Sequence, residues 1–289
     1  MSTVVVFGST GFLGRPVAEL LAGDPRVSRL ICPRRAELDL LAAAPADVAD
    51  LLGESRPSVV LNCVGRLSGR YDELVRGNAG VTAVLLEALA AAAPHARLVR
   101  LGSAAEYGPA LPGTAQREDG PTRPTGAYGI SHLAGTLLVE RAREVDAMSL
   151  RVFNPVGPGV SAANVLGRVR DLIGAATGDI ELGPLDATRD FVDVRDVAAA
   201  VVAAAFADDP AERVINVGSG RPVPVRQAVR LLAAASGFTG EIRENAPESG
   251  RSDTSWSQAD TGRALRVLGW RATVPLTDSI KAMTVKESA

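Results

Sequence analysis

Near the start of the chain, Gly8-Ser9-Thr10-Gly11-Phe12-Leu13-Gly14 follows an apolar strand and opens a helix. Glycines at that spacing do anion chemistry. Gly8 permits a tight turn, Gly11 lets the backbone approach a phosphate, and Gly14 lets helix pack on strand. Backbone N–H groups of the turn and helix start, those of Thr10, Phe12 and Leu13 among them, then face the anion. The ligand this predicts is the pyrophosphate of a dinucleotide. The next strand ends in Cys32-Pro33-Arg34-Arg35, with no acid at its tip. An acid there would hold the ribose hydroxyls of NAD, whereas arginine suits the 2′-phosphate of NADP. Arg34 and Arg35 therefore favour NADP, with NAD possible. The same two arginines also fit a reading as solvated surface charges.

Such a turn needs a parallel sheet around it. Strand-length apolar runs at 3–7, 29–32, 58–62, 98–101 and 148–153 alternate with helix-length segments at 12–22, 46–52, 71–92 and 128–144. That alternation predicts an α/β fold whose parallel sheet is covered on both faces. A short strand at 214–217 completes it. Residues 109–124, rich in Pro, Gly and Thr, read as a surface loop.

Composition narrows the partners. Thirty-one basic residues against 33 acidic ones, no basic tract and 4% aromatic residues exclude a nucleic-acid surface and favour a small molecule. The sequence runs straight into its first strand without a cationic leader, and no later apolar run is expected to reach the ~20 residues of a membrane span. A cytoplasmic protein with no membrane partner is the expectation. Cys32 and Cys63, the two cysteines, fit buried thiols better than a disulfide or metal site. Every basic residue but Lys281 and Lys286 is arginine, a bias of high-GC bacterial coding.

The glycine spacing, together with Ser103, Tyr128 and later segments, resembles the extended short-chain dehydrogenase/reductase family, the NAD-dependent epimerases and dehydratases. The matching stretches are 4–14, 37–40, 59–65, 102–108, 128–132, 151–158, 189–198, 215–220 and 250–253 followed by 268–270. By that resemblance Asp39 and Leu40 lie at the adenine, and Cys63-Val64-Gly65 lies against a cofactor ribose. Asn78 braces the active site, Ser103 bonds the reacting oxygen, and Tyr128 transfers the proton. The segment through Pro155 leaves the sheet beside the nicotinamide. Asn154, Asn164, Arg189 and Arg251 bind a nucleotide-diphosphate sugar, for which paired guanidinium hydrogen bonds are suited. Asp39 and Asn78 also read as a cap and a polar helix-face residue. The stretch 182–188 is especially like reductases and dehydratases of GDP-linked 4-keto-6-deoxyhexoses.

Two departures bear on the reaction. The family lysine four residues after the tyrosine is here His132, one helical turn from Tyr128 and on the same face. A tyrosine of unperturbed pKa near ~10 is a poor base without a cation beside it, and an imidazole of pKa near ~6.5 is mostly neutral at pH 7. Ketone reduction needs Tyr128 protonated; alcohol oxidation needs it as a base. The family dehydratases carry acids just after the catalytic serine, where this chain has Ala104 and Ala105, and Glu106 falls one residue late.

The expectation is a Rossmann-type doubly wound parallel sheet, formed by 1–154 and 190–218, with a smaller discontinuous substrate lobe from 155–189 and 219–289. The expected activity is NADPH-dependent reduction of a nucleotide-activated 4-keto-6-deoxy sugar. The alternatives are a family epimerase or dehydratase, and a dinucleotide-binding protein without redox activity. A homodimer through the helices at 71–92 and 128–144 is expected by family analogy.

Overall fold

A computed structural model describes residues 1–208, 211–245 and 255–285. Apolar runs too continuous to alternate across one wetted face form strands buried on both sides. β1 (Ser2–Phe7) leads through α1 (Gly14–Ala22), β2 (Val27–Ile31) and α2 (Pro45–Ser55) to β3 (Val59–Asn62). α3 (Tyr71–Val75) and α4 (Val81–Ala92) form one 22-residue rod interrupted by a π-helical turn, Arg76–Gly80. β4 (Arg97–Ser103) ends in a 3₁₀ turn, Ala104–Glu106, and α5 (Ala127–Arg141) precedes β5 (Ala147–Val152). The chain then leaves the sheet through β6 (Pro155–Val156), α6 (Val165–Ala175), β7 (Ile180–Leu182), β8 (Thr188–Asp190) and β9 (Val192–Asp193). It returns by α7 (Val194–Ala205) to β10 (Val214–Val217). β11 (Pro222–Pro224), α8 (Val225–Ala235), β12 (Ile242–Glu244), α9 (Gly262–Leu268) and α10 (Leu276–Thr284) follow.

The main sheet has the order β10-β5-β4-β3-β1-β2, and every pairing within it is parallel. This is the doubly wound, Rossmann-type architecture that the alternation predicts. Successive residues of β1 serve opposite faces. Val4 and Val6 join Val17 and Leu21 of α1 and Val197 and Val201 of α7, while Val5 and Phe7 join Leu52 of α2, Leu85 of α4 and Val139 of α5. At about 1.5–3 kcal/mol for each large side chain buried, these two layers supply most of the drive that holds the strand ends in place. A third apolar cluster, Leu166, Val169, Leu232, Ile280 and Met283 among others, unites α6, α8 and α10. It is the core of the smaller lobe.

Strand order reverses between β2-β1 and β3, so a crevice opens at the carboxyl ends of β1 and β3, the place where such sheets take ligands. The chain after Phe7, Asn62, Ser103 and Val152 emerges along that one edge.

Several expectations shift. The first helix starts at Gly14, because 11–13 are held in the turn. Within 219–289, α9 does not belong to the smaller lobe's core: Ala264 and Trp270 pack in the first cluster, and Trp270 Nε1 donates to Asp196 O at 3.0 Å. The rod Tyr71–Ala92 is long and apolar enough to cross a membrane, against the expectation that no segment is. Its apolar residues Val81, Leu85, Ala88 and Leu89 are buried in the core on one face of the sheet.

Candidate active site

Three glycines shape the turn after β1, each for its own reason. Gly8 has φ +76°, and a Cβ on it would stand 2.9 Å from the Cys63 carbonyl carbon. A Cβ on Gly14 would stand 2.0 Å from Gly8 O, which no relaxation of a side chain could relieve. The turn closes through Gly11 N–H donating to Gly8 O at 3.0 Å, and Arg15 N–H to Gly11 O at 2.9 Å carries it into α1. Thr10 and Gly11 are exposed at its tip. Side chains at Gly8 and Gly14 would strike the backbone that packs there, and the tight turn this leaves fits a dinucleotide pyrophosphate.

The turn opens on a cleft of about 790 Å³. Gly11, Phe12 and Leu13 form one wall; Cys63, Val64 and Gly65, with Arg66 and Leu67, form the next. Ser103, Tyr128 and His132 line the same cleft, as do Asn154, Pro155, Asn164 and Arg189. Most of the residues marked by sequence therefore share one cavity. Val64 N–H donates to Asn62 Oδ1 at 3.0 Å, which shapes the β3 exit. Cys63 and Cys32 are free thiols, and burial pushes the Cys63 thiol up to about 12. No grouping of metal-ligating side chains occurs among the described residues.

At the β2 end the arginines differ. Arg35 Nε holds Asp39 Oδ2 at 3.0 Å, and Asp39 Oδ1 also accepts from Leu41 N–H. Arg34 is exposed and its guanidinium makes no ion pair among the described residues; its N–H donates to Glu37 Oε2 at 2.8 Å. The Leu40 side chain is committed to the core beside Phe7 and Val48, which leaves its backbone for the adenine.

Tyr128 lies in the first turn of α5, and its ring meets the His132 ring edge-on, with centroids 4.6 Å apart. Burial pushes the Tyr128 phenol above its ordinary value, while a hydrogen bond with the Ser103 hydroxyl and the Arg100 charge pull the other way. Burial, with the Arg100 cation beside it, lowers His132 to about 3. At neutral pH the tyrosine is protonated and the histidine neutral.

Buried polar bonds hold these groups. Asn78, on the π-helical turn, donates through Nδ2 to Ser131 Oγ at 2.9 Å and to Arg66 O at 3.0 Å, and its Oδ1 accepts from Arg66 N–H at 2.8 Å. Ser131 Oγ donates in turn to Tyr128 O at 2.8 Å, so Asn78 ties the β3 exit to α5. Glu106 is fully buried. It accepts from Ser103 N–H at 3.0 Å and pairs with Arg151 Nε at 2.8 Å. Arg151 lies over the Tyr107 ring, whose hydroxyl donates to Asn216 Oδ1 at 2.6 Å. Glu106 is turned inward by the 3₁₀ turn, away from the cleft and from acid catalysis.

On the facing wall, Asn154 adopts φ +27° and donates to Asp190 O at 2.9 Å. Asn164 caps α6, accepting from Leu166 N–H at 2.9 Å, and donates to Pro155 O at 3.3 Å. Arg189 reaches Ser255 O at 2.8 Å and Ser255 Oγ at 2.6 Å. Arg251 lies outside the described residues. Sequence reasoning missed Ser255, Trp256 and Ser257, which line the cleft. Bridges from Trp256 to Ala110 and Thr188, and the buried Asp190 carboxylate accepting from the N–H groups of Ser219, Gly220 and Ala259, hold that segment there. It also missed Arg100, although a charge inside the apolar run of β4 is a visible signal.

Residues 4–218 match the NAD dependent epimerase/dehydratase family. A dTDP-6-deoxy-L-talose 4-dehydrogenase (NAD(P)(+)) of Kitasatospora kifunensis is 39% identical, over 99% of this chain and 95% of that protein. A GDP-6-deoxy-D-mannose reductase of Pseudomonas aeruginosa is 27% identical, over 96% of this chain and 94% of its own. The solved structure of RMD from Pseudomonas aeruginosa, complexed with NADPH, has the same fold, with a TM-score of 0.86 over 98% of each chain at 24% identity. The chain belongs to the NAD-dependent epimerase/dehydratase family and is an NAD(P)-dependent enzyme of the extended short-chain dehydrogenase/reductase type.

Proposed function

We propose that this enzyme reduces the 4-keto group of a nucleotide-activated 4-keto-6-deoxy sugar with NADPH. The reading rests on one observation: Tyr128, held protonated by burial, shares a cleft with Ser103 and a neutral His132. The nicotinamide supplies hydride when bound. Tyr128 gives its phenolic proton to the carbonyl oxygen as the alcohol forms, and Ser103 Oγ donates a hydrogen bond to that oxygen beforehand. His132 holds ribose or relays a proton. Gly8, Thr10, Gly11, Phe12 and Leu13 cradle the pyrophosphate, the Cys63–Gly65 turn and Pro155 flank the ribose and nicotinamide, and Asp39 and the Leu40 backbone border the adenine. Arg34 supports NADP over NAD, since its guanidinium is not committed to a carboxylate as that of Arg35 is. Asn154, Asn164 and Arg189 hold the diphosphate sugar, with Arg251 as the second arginine. The 39% identical relative, which carries a dTDP-6-deoxyhexose in its name, makes a dTDP-linked ketone the first substrate to try and a GDP-linked one the second.

NADPH consumption across 4-keto sugar nucleotides tests this directly. Tyr128→Phe should cut kcat by about 100-fold or more, the loss typical of a missing proton donor; full activity in that variant refutes the mechanism. An epimerase or dehydratase would instead convert dTDP-glucose or GDP-mannose without added reductant. Ala104, Ala105 and the buried Glu106 leave no acid in the position that dehydration needs. Tight NADPH binding with no turnover on any ketone would mark the third alternative, a protein without redox activity.

The same reading assigns 1–154 and 190–218 to the cofactor and 155–189 with 219–289 to the sugar, α9 within the latter packing in the cofactor lobe's core. It also includes a homodimer through α3–α4 and α5, which expose Tyr71, Val75, Ile130, Leu137 and Leu138. A monomer at micromolar concentration in sedimentation removes that last part.

A further inference from the structure

Arg100 is an arginine side chain buried beneath one of the sheet's helix-covered faces. It stands on β4, opposite Asn62 of β3 and Ser149 of β5, and is 1% exposed. Its guanidinium runs beneath α5. A Cβ on Gly135 would come within 2.9 Å of Cζ and Nη2, so the helix makes room for it with a glycine. Nη1 donates to Thr136 Oγ1 at 2.9 Å, to Ser149 Oγ at 3.0 Å and to His132 O at 3.3 Å. Nη2 faces His132 Nδ1 at 3.3 Å. Nε has no hydrogen-bond partner, and no carboxylate pairs with this cation among the described residues. A buried arginine whose hydrogen bonds all go to neutral groups, with the nearest opposite charge that of Glu106 already paired to Arg151, is costly, and apolar residues would fill the same space without that cost.

The partner atoms say what the cation does. A guanidinium stays protonated and has donors only, so His132 Nδ1 must present its lone pair to Nη2. A neutral imidazole that accepts at Nδ1 carries its proton on Nε2. His132 lines the cleft, edge-on to Tyr128. Its remaining donor is therefore the Nε2–H, and the positive charge lies behind the ring.

We infer that Arg100 is a positioning residue that replaces the missing family lysine at one remove: it fixes His132 as the Nε2–H tautomer and polarises that N–H toward the cofactor and Tyr128. This rests on the cleft being the nicotinamide site. The cation has moved from the helix to the neighbouring strand, and the imidazole conducts its effect. A lysine placed at 132 beside Arg100 would bury two like charges in contact.

Two histidines in the chain make the tautomer directly readable by ¹⁵N NMR, with exposed His95 as the comparison signal. The expected spectrum has His132 with a bare Nδ1 and a protonated Nε2, unchanged over about pH 5 to 8, the range in which an ordinary histidine titrates. Arg100→Met should give a mixture of tautomers. It should also lower kcat by roughly 10–100-fold, as loss of a partner that orients a functional group does, with little change in KM for the cofactor. His132→Lys alone should be nearly inactive, and Arg100→Met with His132→Lys should recover most of the activity. A proton on Nδ1 in the unmodified protein overturns the inference, as does a tautomer unaffected by Arg100→Met. If Arg100→Met fails to fold, Arg100→Gln and the unmodified protein's spectrum still decide. The spectrum needs no turnover, so the expected tautomer in a protein that reduces no ketone would count against the proposed function and leave the inference standing.

Discussion

Acid should weaken this protein through one side chain, and the size of the effect follows from His132. In the unfolded chain its imidazole takes a proton at pH 6.5, whereas in the fold burial and the Arg100 charge lower that to about 3. Between those values the unfolded state binds a proton that the folded state refuses, so stability is lost as pH falls through 6.5. The slope rises from half of about 1.4 kcal/mol per pH unit at pH 6.5 to nearly the whole of it below, so that going to about pH 4.5 costs about 2.3 kcal/mol. Against a total of roughly 5–15 kcal/mol for a folded domain, that is a large share. His132→Asn removes the titration and keeps an acceptor near the Nδ1 position for Arg100. Urea unfolding of both proteins at the two pH values isolates the term. Burial raises the Asp190 carboxyl, which opposes the loss in acid, but it does so in both proteins and cancels. Arg100 and Tyr128, the ionisable groups against His132, do not change charge in this range. The unmodified protein should lose about 2–3 kcal/mol more than the variant. Parallel losses would mean that the imidazole is solvated or already charged in the fold, and the burial argument would fail.

Three further outcomes follow from the site. Glu106→Ala should destabilise the fold by about 3–5 kcal/mol, because it strands the buried Arg151 charge and the Ser103 N–H; urea unfolding measures it, and a loss below about 1 kcal/mol would class the pair with surface bridges. Arg34→Glu should weaken NADPH by about 10–100-fold, the value of a charge-assisted phosphate bond, and leave NADH little changed; equal losses for both in titration calorimetry would remove Arg34 from the 2′-phosphate. The alcohol-oxidising direction should speed up as pH rises beyond neutrality, since it needs the Tyr128 phenolate that burial disfavours, while ketone reduction stays level there. Reduction and oxidation with the same pH profile would show that Tyr128 is not the proton carrier.

The sheet was legible because strands buried on both faces write themselves as runs such as Val4-Val5-Val6 and Val59-Val60-Leu61, and the glycine turn because close backbone approach excludes every other side chain. Helix ends were less so: Leu13 and Glu144 have residue types that a helix could hold, and only the turn geometry and the Ala142 cap place them outside. The burial of the Leu40 side chain was not legible, because its motif marks a backbone path while its side chain answers to the core. Trp256 was invisible because its place depends on bridges to Ala110 and Thr188, contacts across 146 and 68 residues that no local pattern encodes. The packing of α9 was hidden for the same reason, its apolar face finding α7 and not its chain neighbours.

What sequence spacing could not carry is how the three side chains of the proposed reaction are held. Ser103, Tyr128 and His132 each stand on a buried polar support from a different element. Glu106, fixed by Arg151 of β5, holds the Ser103 backbone. Asn78 of the π-helical turn holds α5 through Ser131. Arg100 of β4 faces the imidazole. In a low-dielectric interior each such support is strong when complete and expensive when broken, so they give a site whose donors are aimed before substrate arrives. A motif marks the side chains that meet the substrate, because their spacing on a strand end and a helix turn is local. Their supports are free to come from any strand or helix that packs close enough. That freedom is what lets a buried cation on β4 stand behind the imidazole at position 132.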